Sequence, residues 1–322
     1  MFFTRFKFHI PAFGFYALRR FFEMIPTTLA ILLVTFILFA SVGDSPALIV
    51  LGKNASAEKI AEYNAQHGYD RPLVWARDSQ LARYFSQLAR LDFGESVEHQ
   101  RPVVEVLGDG VGASLSITIP VLLLGATLSL ALALACACFR GRAPDHALLF
   151  STTLLLAVNP VLWVLAGQFL LAFKLGWFPI WGFDSPAALV LPVLLGTLIS
   201  LPRDIRFLRT ILLDEIHKPY LRTAKAKKLS TPRILLRHLL PNTLVPIITY
   251  FSLALPFLFT GSLLLETTFG IPGIGAATLN ALSNSDLPVI RAIVLLGALA
   301  FQFVNLLTDL SYGLIDPRIR LS

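Results

Sequence analysis

The chain has 322 residues, of which 55% are hydrophobic and only 15% charged, with a mean hydropathy of +0.70. That balance excludes a soluble domain with a polar surface and defines a polytopic membrane protein. The net charge of +7 sits beside apolar runs, where basic residues orient spans, so it does not indicate a nucleic-acid partner.

Residues 1–23, MFFTRFKFHIPAFGFYALRRFFE, mix Phe with Arg5, Lys7, Arg19 and Arg20 and read as a cytoplasmic or interfacial flank. The next 20 residues, 24–43, carry no charge and are long enough to cross a hydrocarbon core of about 30 Å. A cleaved signal peptide is the competing reading, because ASVGDSPA places small residues after the apolar core, but the run is longer than the usual signal core. Residues 44–109, with 10 acidic and 7 basic residues, form the longest polar segment and suit the external side. Within it Leu81, Tyr84, Phe85 and Leu88 recur at helical spacing, DFGES reads as a turn, and Asn54-Ala55-Ser56 is a sequon of a kind common by chance.

A second span is expected at about 110–139, which holds 30 uncharged residues, followed by the basic turn Arg140 and Arg142. The third, about 146–173, contains Asn159-Pro160, which predicts a kink. Trp177, Phe178 and Trp181 then form an outer aromatic belt. The fourth, about 185–206, continues into a loop over 207–240. Across residues 203–237 there are 10 Lys or Arg against 3 acidic residues, the strongest bias in the chain, which makes this side cytoplasmic. In that loop Pro219 suits the first position of a short helix through Lys227, and Thr231-Pro232 repeats the start signal for a second helix through Leu240. A solvated basic loop and a helix seated in a partner's groove are both compatible with the spacing.

The fifth span, about 241–265, is interrupted by Pro246 and Pro256. Residues 266–286 are nearly free of charge, yet FGIPGIG argues for a turn and a short re-entrant or interfacial helix whose backbone other protein must cover. The sixth span covers about 287–312, and Arg318 and Arg320 return the tail to the cytoplasm. Six spans with both termini cytoplasmic satisfy the loop charges. The six histidines lack ligand spacing, and Cys136 and Cys138 diverge on a helix, so no metal, disulfide or cofactor is expected.

The stretch YLRTAKAKKLSTPRILLRHLLPNTLVPIIT resembles the EAA loop of ABC importer membrane subunits, in the form found in the oligopeptide/dipeptide family. Arg222, Thr223 and Ala224 occupy the triplet positions, and Leu240-Pro241 matches the terminal hydrophobe-Pro. GYDRPLVWARDSQLARYFSQLARLDFGES resembles the segment that follows the family's first span. ETTFGIPGIGAATLNALSNSDLPVI is similar to its extracytoplasmic gate region, and VNLLTDLSYGLIDPRIR to its C-terminal signature. The long first external loop resembles that of the B-type rather than the C-type subunit.

The resemblance implies an all-α type I ABC importer (MetI-like) permease fold with six transmembrane helices, in a bacterial cytoplasmic membrane. It implies a coupling helix made by Pro219, Tyr220, Leu221, Arg222, Thr223, Ala224, Lys225, Ala226, Lys227, Lys228 and Leu229. The implied partners are a homologous C-type permease subunit, two ABC ATPase subunits, an extracytoplasmic solute-binding protein and the lipid bilayer. The gate would include Glu266, Phe269, Pro272, Gly273 and Gly275; on the residues alone, Glu266 reads equally well as a solvated interfacial carboxylate. Two positions depart from the family. Lys228 stands where it has Gly, at a helix end favouring left-handed backbone, and Arg291 replaces a small or polar residue.

No G-x-x-x-x-G-K-[ST] phosphate loop occurs, so the energy for transport would come from another chain. A stand-alone secondary transporter or channel is the rival, but it calls for broken helices with ionisable groups near the midplane, and these spans read as nearly free of charge. A membrane-embedded enzyme lacks a His/Asp/Glu constellation. Peptides are the family's usual solutes.

Overall fold

The computed structural model describes residues 10–41, 47, 55–67, 69–74, 79–90 and 92–315. The basic residues Arg5 and Lys7, the sequon's Asn54, and the tail's Arg318 and Arg320 lie outside the described residues.

Among the described residues the protein is helical. Helix α1 (Ile10–Ser41) is followed by α2 (Ala57–His67) and α3 (Gln80–Ala89), the latter capped by Ser79 Oγ, which accepts from Ala82 N–H at 3.2 Å. Helix α4 (Val103–Cys138) starts seven residues before the uncharged run, so Glu105 and Asp109 belong to a helix that projects beyond the hydrocarbon. The charge boundary at residue 110 therefore marks a depth in the membrane and not a helix end.

The expected third span is two helices, α5 (Ala143–Ala157) and α6 (Pro160–Lys174), bent by 91°. The cause is local. Asn159 caps α6, its Oδ1 accepting from Val161 N–H at 2.9 Å, and Pro160 occupies the first helical position, where its missing N–H costs nothing. Trp163 Nε1 donates to Leu155 O across the corner at 3.1 Å. Trp177 and Trp181 then lie 68% and 75% exposed, as a belt requires.

Helix α7 (Pro186–Glu215) is followed by the short α8 (Pro219–Ala226). The expected second helix and fifth span are one continuous helix, α9 (Thr231–Ser252), with a π-helical turn at Leu235–Leu239. It ends at Ser252, before Pro256. Residues 256–269 form two short helices instead, α10 (Pro256–Thr260) and α11 (Leu263–Phe269), then α12 (Ile274–Ser283) and α13 (Leu287–Ile315). Among the described residues, five helices are long and apolar enough to cross a membrane, and the bent pair makes a sixth span if taken as one.

Two apolar clusters organise the ends. At the end carrying α8, Ala133 and Ala137 of α4, Leu208 and Leu212 of α7, and Ile234, Leu235, Leu239 and Ile247 of α9 pack with Leu221 and Ala224 of α8. At the opposite end, Ala113 and Ile117 of α4, Val164 and Ala172 of α6, Leu191 and Leu195 of α7, and Leu265 and Phe269 of α11 close a second core.

Candidate functional site

Two constructions stand out, one at each end. At the basic end, α8 lies on the α4–α7–α9 cluster through two residues three apart, Leu221 (0% exposed) and Ala224 (5%). The small Ala lets the helix come close. Tyr220 sits at the edge of the same contact and its hydroxyl donates to Glu215 Oε1 at 3.1 Å. Burial, and then the Glu215 carboxylate, push this phenol up to about 12, so it stays a donor at neutral pH. Arg222, Thr223, Lys225, Ala226, Lys227 and Lys228 are exposed, and Pro219 is exposed at the start of the helix. Leu229 returns to pack against the cluster. The helix thus has one seated apolar edge and one free cationic face.

Lys228 has φ +57°, the left-handed conformation that favours Gly, directly after the C-cap residue Lys227. Its N–H donates to Lys225 O at 2.9 Å, closing the helix end. Replacing Lys228 by Gly should relieve about 1 kcal/mol of backbone strain. A thermal melt of the purified protein should show the unfolding midpoint raised by about 2 °C.

Two basic residues of α7 brace the bundle beside α8. Arg209 grips the buried Asp145 with two bonds, Nε to Oδ1 at 2.9 Å and Nη2 to Oδ2 at 2.8 Å. Gly141 N–H donates to the same carboxylate at 3.0 Å, and Arg206 Nε donates to Thr152 Oγ1 at 3.0 Å. These bonds tie α5 and the turn before it to α7, so the platform under α8 is braced from the side.

At the opposite end Glu266 is 0% exposed, which removes the reading of a solvated interfacial carboxylate. Its Oε1 accepts from Ser114 Oγ–H and from Ser262 N–H, both at 2.8 Å, and its Oε2 accepts from Ala276 N–H at 3.0 Å. Ser114 Oγ in turn accepts from Ile274 N–H at 2.8 Å. Helix α12 begins at Gly273, which has no side chain to cap it, so Glu266 and Ser114 satisfy its first amides and place a negative charge at the positive end of its dipole.

Gly273 fits because a Cβ there would collide with the Glu266 carboxylate. At Gly275 a Cβ would lie 2.7 Å from Leu263 N. Phe269 is buried in the core beneath, and Pro272 is exposed on the turn. All five expected gate residues therefore lie in or beside one knot. Reasoning from sequence missed Ser114, 152 residues away, whose only local signal is a polar residue in the apolar run GASLSIT. It also missed Asp204 in α7, buried and bonded by Tyr250 O–H at 2.6 Å. Arg291 packs its guanidinium 5.4 Å from the Phe39 ring centroid, joining α13 to α1.

A bundle of helices long and apolar enough to cross a membrane, with a braced short helix at one end and a hydrogen-bonded turn at the other, is the architecture of a multi-span membrane protein. The chain belongs to the family described as binding-protein-dependent transport system inner membrane component, which matches residues 109–321. Residues 14–118 match the description "Binding-prot-dependent transport system membrane comp, N-term". It is therefore a permease subunit of a binding-protein-dependent ABC importer, in a family of multi-pass inner-membrane proteins.

The chain is 33% identical over 308 residues to the glutathione transport system permease protein GsiC of Salmonella paratyphi A, covering 95% of this chain and 98% of the relative. The protein of that name in Escherichia coli K12 is 31% identical over 308 residues, with the same coverage. Among solved structures, the inward-facing MetNI methionine ABC transporter shares the fold, with a TM-score of 0.55 and 16% identity over 66% of this chain and 97% of that one.

Proposed function

We propose that this chain is the B-type permease of an oligopeptide/dipeptide-type importer, paired with a homologous C-type permease subunit and carried by two ABC ATPase subunits. An extracytoplasmic solute-binding protein delivers a peptide-like solute, and glutathione, named for the relatives, is the first to try. The α8 end and both termini are cytoplasmic, in keeping with the positive charge concentrated there.

The observation that carries this reading is the two-sided character of α8. Leu221 and Ala224 seat it on three spanning helices at once, while its other face, rich in Arg and Lys, is left for a partner. An ATPase groove with acidic residues fits that face. Because α8 shares one packed cluster with α4, α7 and α9, a displacement imposed by the ATPases passes into the spans as a rigid movement. Helices α10 to α12 would respond at the far end as the gate.

Deleting residues 219–229 should leave a chain that still inserts into the membrane but no longer co-purifies with the ATPase subunits. ATPase association that survived the deletion would sink this reading.

A further inference from the structure

We infer that Arg203, on the inner half of α7, lines the water-filled pathway and presents its guanidinium to a carboxylate of the solute in transit. The inference rests on the permease reading above and adds the chemical class that the pathway recognises.

Arg203 lies 17 residues into α7, about 26 Å along the helix and still within a hydrocarbon thickness of about 30 Å. Its side chain is nevertheless 70% exposed. An arginine there is costly against lipid tails, so it belongs beside water or protein. The same helix face shows which. Two turns earlier, Gly196 is buried, and a Cβ on it would lie 2.9 Å from both Leu265 Cδ1 and Val121 Cγ2. Leu265 adjoins Glu266, so the gate knot closes this face on its outer half. From Arg203 inward the face opens: Phe207 is 44% exposed and Thr210 is exposed. A face sealed at one end and open toward the other, with a cation at the transition, is the profile of a pathway wall.

The surroundings hold the guanidinium in place. Its Nε donates to Asp204 Oδ1 at 3.4 Å, and Asp204 is fixed by the Tyr250 hydroxyl at 2.6 Å. Tyr250 stacks on Phe207 with ring centroids 4.1 Å apart. Asp204 and the Tyr250 side chain take part of the guanidinium's donors, and the remaining N–H groups of the planar fork face another acceptor, a geometry that matches a carboxylate. The buried Asp204 also keeps the site close to neutral when empty, which lowers the cost of an arginine at this depth.

The test uses the complete importer in inside-out vesicles and proteoliposomes. In a background with Cys136→Ala and Cys138→Ala, Arg203→Cys should react with a water-soluble, membrane-impermeant maleimide from the α8 side. Separately, uptake of a tripeptide with a free C-terminal carboxylate is compared with uptake of its C-terminal amide. Arg203→Gln should raise KM for the acid by about tenfold or more, the size expected when a charged hydrogen bond is lost. Its effect on the amide should be small, and Arg203→Lys should fall between.

An unreactive thiol would place the residue against lipid or the partner subunit and overturn the proposal. Equal losses for acid and amide would also overturn it, as would a wild-type complex that hydrolyses ATP in response to its binding protein yet takes up no peptide acid. A wild-type chain that associates with no ATPase would instead sink the permease reading, and this proposal with it.

Discussion

Glu266→Ala should abolish binding-protein-dependent uptake while leaving the chain in the membrane. The carboxylate has no exposed surface and accepts three hydrogen bonds, from Ser114, Ser262 and Ala276. Truncation leaves those donors facing a cavity, and each unsatisfied buried group costs about 1–3 kcal/mol. Their sum, about 3–9 kcal/mol by the same measure, is enough to detach α12 from α4 and α11 without unfolding the spans. Glu266→Gln keeps the volume and one acceptor but turns an amide donor toward a backbone N–H, so it should be impaired less. A thiol placed at the buried Ala281 of α12 reports the opening directly. It should resist an external impermeant maleimide in the native chain and react with it in the Ala variant. Near-normal uptake by Glu266→Ala would show that the knot is not part of the gate.

The second large effect is expected at Leu221. This side chain is fully buried between α8 and the cluster below it, and Leu→Ala at such sites costs about 2–5 kcal/mol. Since α8 is held by two apolar residues and one tyrosine hydroxyl, that loss should loosen the whole helix. ATPase subunits should still hydrolyse ATP, but uptake per ATP hydrolysed should fall severely. Arg222→Ala offers the contrast. The residue is exposed, so stability should change by about 0.5 kcal/mol or less, while binding of the ATPases weakens. Assays of ATP hydrolysis and uptake on the same reconstituted preparations separate the two outcomes. If both variants behave alike, α8 is not a two-sided element.

Local chemistry made the helix positions readable in the sequence. Pro219 and the left-handed Lys228 bracket α8, and Asn159-Pro160 marks the corner between α5 and α6, because caps and prolines act within a few residues. What could not be read was long-range neutralisation. Glu266 looked like an interfacial carboxylate because two of its partners, Ser114 and the amide of Ala276, lie outside its own turn and helix. The partners of Arg206 and Arg209 were out of reach because Asp145 and Thr152 are more than 50 residues away. The fourth span, read as about 185–206, already contains Arg203 and Asp204, and α7 continues beyond it to Glu215.

The knot at the end opposite α8 also has a history built into it. Ser114 and Glu266 both precede Gly273 in the chain, so the groups that receive the first turn of α12 have been synthesised before that turn emerges. Helix α12 brings no cap of its own and depends on a socket laid down earlier. Its start is therefore complete only where α4 and α11 meet, so the seating of α12 reports that contact.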